Sequence, residues 1–362
     1  MGRKRKQYEH LKLTSHQLFE IIRDHYQKNI SQADIAKKFK VSASTISNII
    51  NDVKDDYVKY VIFDPREDLL DIENKIRTKF PNLEKIIIVP GRSDLGPAIE
   101  GELKEKDMAD IIIKDVRMQV VIAAAEELQN KNLEGKILSL PQGPLVRDIL
   151  RLMNPVRSKE APKTIVTSSG FHSPVHHCLY DPAAIVTGPA QRVYPTVTDR
   201  IVIPCPAFLP NEIAKKIEAV PIVKQTIELA NQANVLLTGF GTRDYENNRY
   251  TFEGTLEKKY WPAKPKDDEA RPNFFVGDMA GCMFLTRNGN FIDLKTHKVM
   301  GIRHETIAEG NVEIIGIFRP RSIKPAGSKK WIWTYIAAAK WLNTLIVDAL
   351  TAEMMIEEME KF

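Results

Sequence analysis

Short apolar runs rich in Ile, Val and Leu recur along most of this chain, separated by longer stretches with helical spacing. The runs are Ile86 to Val89, Ile137 to Leu140, Thr164 to Thr167, Ile201 to Pro204, Val235 to Thr238, Val312 to Phe318 and Leu345 to Val347. Helical patterns fall around Arg66 to Phe80, Asp107 to Asn130, Leu145 to Met153, Trp331 to Trp341 and Thr351 to Glu360. Short strands that alternate with helices in this way are covered on both faces in a largely parallel sheet. The expected fold class is therefore α/β with a doubly wound sheet, in which ligands bind outside the carboxyl ends of the strands.

Three of the runs end in loops that suit an anion or a polar ligand. Ile137 to Leu140 leads into Gln142 and Gly143, with Arg147 close behind; Thr164 to Thr167 leads into Ser168, Ser169 and Gly170; Val235 to Thr238 leads into Gly239, Phe240 and Gly241. Small or hydroxyl residues ahead of a helix let backbone N–H groups point at a ligand. A turn alone would also account for each Gly. Further along, the polar, Pro-punctuated stretch Tyr245 to Pro272 is expected to be a surface excursion and candidate lid. Phe274 to Asp278 and Gly281 to Asp293 are expected to form a hairpin turning at Asn288-Gly289.

The first fifty residues have a different character. Thr14 to Gln27 carries Leu18, Phe19, Ile21 and Ile22 at helical spacing. In Ser31 to Asn51, Ile35, Ala36 and Phe39 mark one short helix and Ile46, Ile49 and Ile50 a second, with Val41 between them. Ser31 and Ser42 stand as hydroxyl N-caps. This spacing is that of a helix-turn-helix, whose second helix would offer Ser42, Ser44, Thr45, Ser47 and Asn48 to base edges, with Gln32 at the start of the first. Lys40 sits where Gly would fit the turn more easily. Residues 1–51 hold ten Lys/Arg against four Asp/Glu, and the remainder of the chain is close to neutral. The basic excess thus lies where phosphate contacts would need it, and Arg3 to Lys6 would extend it as an arm. The expected division is a DNA-binding domain over 1–55 and a second domain over 56–362.

Cys178, Cys205 and Cys282 are isolated, which argues against a disulfide framework or a zinc site. His172, His176, His177 and Cys178 are the densest metal-capable cluster, but Pro174 interrupts any regular helix there and no carboxylate stands at ligand spacing. Neither a metal nor another cofactor is expected. The longest apolar stretch, Trp331 to Leu350, is broken by Lys340, Asn343 and Asp348, so a cytoplasmic protein without a membrane span is expected. The aromatics Trp331, Trp333, Tyr335 and Trp341 fit a buried helix and its rim.

Taken together, QADIAKKFKVSASTISNII, the Gly239–Gly241 GFG, VGDMAG at Val276 to Gly281 and GSKKWIWTYIAAAKWLNTLIVDALTA at Gly327 to Ala352 resemble the SorC family of bacterial sugar-responsive transcriptional regulators. The resemblance covers most of the chain. It implies an effector domain of the fold shared with glucosamine-phosphate deaminase, ribose-phosphate isomerase and coenzyme A transferases, a homotetramer, and operator DNA and a phosphorylated sugar as partners. It assigns Lys329 to a phosphate and Asp278 to sugar hydroxyls. The family's phosphate loop has Thr hydroxyls where this chain has Pro144 and Leu145, so two donors are missing and Arg147, Ser168 or Ser169 would have to substitute. An isomerase- or deaminase-type enzyme on the same fold is the alternative, disfavoured because the loops lack an Asp/Glu/His constellation. A regulator that has lost sugar sensing and answers to a protein partner is a third reading.

Overall fold

The computed structural model describes residues 15–26, 30–51, 66–90, 105–171, 182–244, 249–250, 274–319 and 331–361. The chain divides into two compact units, residues 1–70 and 71–362. The basic arm at Arg3 to Lys6, the His172 to Cys178 cluster and Lys329 lie outside the described residues, as does nearly all of the Tyr245 to Pro272 excursion.

In the first unit, α1 (Ser15–Tyr26), α2 (Gln32–Phe39) and α3 (43–51) enclose one small core. Leu18, Ile21 and Ile22 meet Ile35 and Ala36 and then Ile46, Ile49 and Ile50, with Ile30, Phe39 and Val41 at the margin. Both expected N-caps form. Ser31 Oγ accepts from Asp34 N at 3.2 Å and donates to the Asp34 carboxylate at 2.6 Å, and that hydroxyl, helped by Lys37, holds the carboxyl below its usual range. Ser42 Oγ accepts from Thr45 N at 3.0 Å. The fully buried Asp24 carboxylate accepts from Lys38 Nζ at 2.6 Å, which ties α1 to α2.

Lys40 adopts φ 55° and ψ 43°, the left-handed conformation that closes α2 by turning its N–H onto the Ala36 and Lys37 carbonyls. An L-residue with a β-carbon is strained there, whereas Gly is not. Lys40→Gly should therefore stabilise this unit by about 1 kcal/mol. Calorimetry of the full chain would show a higher midpoint for the transition of residues 1–70; a lower one would mean that the lysine side chain contributes more than its backbone strain costs.

In the second unit the chain runs through α4 (Arg66–Lys79, which begins in the first), β1 (Lys85–Val89), α5 (Glu105–Gln129), β2 (Ile137–Leu140), α6 (Pro144–Leu152), β3 (Thr164–Thr167), α7 (Pro182–Thr187), α8 (Pro189–Val193) and β4 (Asp199–Ile201). It continues through β5 (Phe208–Pro210), α9 (Asn211–Glu218), α10 (Pro221–Ala230), β6 (Val235–Thr238), β7 (Phe240–Asp244) and β8 (Arg249–Tyr250). Then come β9 (Phe275–Met279), β10 (Met283–Thr286), β11 (Phe291–Ile292), β12 (His297–Val299), α11 (His304–Ala308), β13 (Glu313–Ile317), α12 (Ile332–Ala339), β14 (Thr344–Asp348) and α13 (Ala349–Met359).

Seven strands form the central sheet in the order β1-β14-β13-β6-β2-β3-β4, and every pairing is parallel. Both faces are covered, as fully apolar strands require. On one face α5, α6, α7 and α8 bury Val120, Ala124, Val146, Ile149, Ile185 and Val193 with Leu138, Leu140, Ile165, Leu237 and Ile315 of the strands. On the other, Ala214 of α9 and Val223, Ile227 and Ala230 of α10 pack on Val166, Ile203 and Met300. Two asparagines fasten strand starts: Asn234 Oδ1 accepts from Ile137 N at 2.8 Å, and Asn343 Oδ1 from Ile314 N at 2.9 Å.

The expected α/β class is thus observed, with local differences. The strand expected over Ile201 to Pro204 is instead Asp199–Ile201, because Ile203 N turns to the Thr167 hydroxyl at 3.1 Å rather than to a strand partner. The expected hairpin is a three-strand meander. Its turn at Asn288-Gly289 is present, with Gly289 at φ 82°, but a second turn at Ala280-Gly281, both at positive φ, separates β9 from β10. Helices α9 and α10 lie outside the expected elements. The Trp-rich helix is core with a rim, Ile332, Thr334, Tyr335 and Ala337 being buried and Trp331, Trp333 and Trp341 half-buried.

Candidate functional site

The order of the central sheet locates a crevice. From β2 the chain moves through α6 to β3 and on to β4; from β6 it moves in the opposite direction, to β13 and β14. The winding reverses between β2 and β6, and in an open α/β sheet such a reversal opens a ligand crevice at the strand ends. The three expected loops follow β6, β2 and β3, which are neighbours in the sheet.

At the end of β2, Gln142 and Gly143 are half-buried. Gly143 has φ 120° and open space where a β-carbon would stand, and it precedes Pro144 at the start of α6. The Arg147 guanidinium donates from Nε and Nη2 to Asp148 Oδ1 at 2.9 and 2.7 Å, so its charge is shared with that neighbouring carboxylate. At the end of β6, Gly239 lies against α6: a β-carbon on it would stand 2.8 Å from Leu145 Cδ2. Thr238 Oγ1 donates to the Gly239 carbonyl at 2.7 Å and accepts from Ala280 N at 2.9 Å, which fastens the end of β6 to the β9–β10 turn. Gly241 on β7 pairs with Asp278 on β9. Asp278 is fully buried and accepts from Gly281 N at 2.7 Å, so one of its oxygens holds the turn.

At the end of β3 the three residues are packed more tightly. Ser168 donates from N to the Leu140 carbonyl at 3.1 Å and its own carbonyl accepts from Ile302 N at 2.7 Å. Ser169 Oγ donates to the Gly170 carbonyl at 3.2 Å. A β-carbon on Gly170 would stand 2.0 Å from the Cys205 carbonyl oxygen, so Gly is required there by backbone contact. Ser168 Oγ is fully buried and has no hydrogen-bond partner among the described residues. The structure thus brings Gln142, Gly143, Gly239, Gly241 and Asp278 into one connected set through Leu145, Thr238 and Ala280, with Ser168 to Gly170 on the adjoining strand. Thr238 carries no signal in local sequence, nor do Met300, whose carbonyl accepts from Gly170 N at 2.9 Å, and Ile302, because their role comes from partners distant along the chain.

A cavity of about 430 Å³ lies elsewhere in this unit, against the small antiparallel sheet, lined by Phe284, Leu294, His297, Lys298, Arg303 and His304 among others. None of the expected site residues lines it. Cys282 is buried, and its thiol is pushed well above the usual range by burial and the nearby Asp278; Cys205 is pushed up to about 11, chiefly by burial. Both are free and buried. Among the described residues no group of His, Cys, Asp or Glu is arranged to hold a metal. No helix described is long and apolar enough to cross a membrane.

Asp348, at the end of β14, caps α13 by accepting from Thr351 N at 3.0 Å, while its second oxygen is buried without a partner among the described residues. Burial raises its carboxyl pKa, against smaller opposing hydrogen bonds from Thr351. A carboxyl whose pKa is raised by folding contributes stability below its unfolded pKa, and that contribution disappears as the pH climbs through the folded value. Asp348→Asn keeps a capping oxygen and removes the buried charge. The variant should be more resistant to denaturant than wild type at pH 7, with the gap closing in acid below about pH 4. An equal gap at both pH values would show that charge burial is not the cause.

The sheet order, with its reversal between β2 and β6, defines a doubly wound α/β unit joined in one chain to a small three-helix unit. Residues 64–357 match the family described as "Putative sugar-binding domain", and the chain belongs to that family. A deoxyribonucleoside regulator of Bacillus subtilis (strain 168) is 21% identical over 345 residues, covering 94% of this chain and 97% of the relative. The full-length sorbitol operon regulator SorC of Klebsiella pneumoniae superposes with a TM-score of 0.59 at 18% identity, over 95% of this chain and 99% of that one. A DeoR family transcriptional regulator from Listeria monocytogenes superposes with a TM-score of 0.55 at 18% identity, over 79% and 98% respectively. The SorC-type relationship expected from the motifs is therefore found, and the relatives named are transcriptional regulators.

Proposed function

We propose that this protein is a DNA-binding transcriptional regulator whose operator affinity is set by a small effector, a phosphorylated sugar, and that it acts as a homo-oligomer rather than as an enzyme. The observation that carries the reading is the sugar-binding family match over 64–357, in a chain whose basic N-terminal unit presents hydroxyls on α3. In this reading residues 1–55 bind DNA and 56–362 bind the effector and a second copy. Ser44 and Asn48 are exposed, with Gln32, Thr45 and Ser47 half-buried beside them, and these would meet base edges. Gln142, Gly143, Ser168, Ser169, Gly170, Gly239, Gly241 and Asp278 would surround the effector, with Lys329 its phosphate anchor. The Arg147 guanidinium is paired with Asp148, which makes it a poor replacement for the missing phosphate donors. A weaker hold on phosphate than in relatives with Thr in that loop follows, each absent neutral bond costing about 0.5–1.5 kcal/mol.

The test is fluorescence anisotropy on operator DNA selected from random sequence, with and without millimolar sugar phosphates. Asn48→Ala should lose about 1–3 kcal/mol of discrimination between operator and mutated operator. Ser42→Ala should instead lower stability by about 1 kcal/mol, since its hydroxyl caps α3. Unchanged operator affinity in Asn48→Ala would remove that residue from the readout. If no sugar phosphate alters DNA binding, the effector half of the reading fails while the DNA half stands.

A further inference from the structure

Helix α5 is apolar on more than the face that the sheet covers. Val116, Val120, Val121, Ala124, Ala125 and Leu128 are buried. On the opposite side Lys114, Met118, Ile122 and Glu126 stand exposed in a single i, i+4 row, Met118 at 49% and Ile122 at 42%. A scattered exposed apolar residue needs no explanation. This row differs because it is self-complementary. It is symmetric about position 120, with an apolar residue on each side of that point, a cation at one end and an anion at the other. Neither Lys114 nor Glu126 has an ion-pair partner among the described residues.

We propose that this face of α5 packs antiparallel on the same face of a second copy, about a twofold axis through position 120. That arrangement sets Met118 against Ile122 of the other copy, and Lys114 against its Glu126, twice over. An isologous contact of this kind requires a surface complementary to itself, and only the antiparallel arrangement brings unlike charges together; a parallel one sets lysine on lysine. The row from Lys114 to Glu126 spans about 18 Å with a face about 10 Å wide, roughly a quarter of the ~800 Å² per partner that a stable interface needs, so it forms the centre of a larger contact. Helix α6, which packs beside α5, carries a further exposed apolar residue at its end, Leu152 at 46%.

This assignment rests on the oligomeric reading above and is tested separately from it, by sedimentation velocity on the full-length chain without DNA at micromolar concentration. Lys114→Glu alone and Glu126→Lys alone each set like charges opposite one another and should halve the mass of the wild-type assembly. The double variant Lys114→Glu/Glu126→Lys restores unlike pairs and should recover it. Ile122→Lys should also halve the mass, and circular dichroism should be unchanged in all four, since the positions are exposed. An oligomeric wild type whose mass is indifferent to the single reversals, or whose mass the double variant fails to recover, would overturn the surface and leave the oligomer standing. A monomeric wild type would overturn both.

Discussion

Gly277→Ala is expected to destabilise the second unit by about 3 kcal/mol or to prevent its accumulation as soluble protein. A β-carbon at that position would stand 2.3 Å from the Gly241 carbonyl oxygen and 2.6–2.7 Å from the Thr334 side chain. Neither neighbour has room to withdraw. The Gly241 backbone belongs to β7, which is paired with β9, and Thr334 is fully buried on α12 with its hydroxyl donating to the Val276 carbonyl at 2.7 Å. Gly316→Ala is the natural comparison, because the three atoms nearest to a β-carbon there all belong to the Leu342 side chain rather than to a backbone. Chemical denaturation should therefore rank Gly277→Ala well below Gly316→Ala. Since Gly277 precedes Asp278 on β9 and lies against the Gly241 carbonyl, the variant also tests the scaffold of the proposed effector crevice. Near wild-type stability would mean that β7 and β9 separate far more readily than their pairing implies.

The second large effect concerns salt. With a net charge of +6 over residues 1–51 and near neutrality elsewhere, DNA affinity should depend chiefly on counterion release from the first unit. If an oligomer covers six to ten phosphates, affinity should fall by about 10³-fold or more between 50 and 200 mM salt. The dependence should be the same for operator and unrelated DNA to the extent that the lysines and arginines contact phosphate alone. The measurement is the slope of log affinity against log salt, by anisotropy. A slope near zero would exclude phosphate neutralisation as the source of binding and with it the proposed DNA reading.

Strands with unbroken apolar runs were legible in the sequence to within a residue or two: Thr164 to Thr167 and Val235 to Thr238 coincide with β3 and β6. The same holds for the core of the first unit, where burial follows the 3.6-residue period of Ile46, Ile49 and Ile50. Elements set by distant partners were not legible. Strand β4 ends where it does because of the Thr167 hydroxyl, and the positive φ of Ala280, beside Gly281, is held by the Thr238 and Asp278 side chains rather than by anything Ala280 itself supplies. Of the expected site residues, Gly143 keeps the open surroundings that a close ligand approach needs, whereas Gly170 is small because Cys205 is there. A glycine in a sequence looks the same in both circumstances, and only the coordinates separate them.

The pairing of β1 with β14 has a consequence for synthesis. Lys85 to Val89 finds its hydrogen-bonding partner in Thr344 to Asp348, far later in the order of synthesis. At ~5–20 residues per second, a ribosome takes roughly a quarter of a minute or longer to cover that distance. During that interval Ile86, Ile87 and Ile88 lack the strand they pair with, and the edge of the sheet closes only once Thr344 to Asp348 has been made. Closure so late and so non-local makes folding of this unit slow. It also means that a nascent chain halted before Thr344 carries an unsatisfied apolar strand, a ready signal for chaperone binding and for removal of incomplete product.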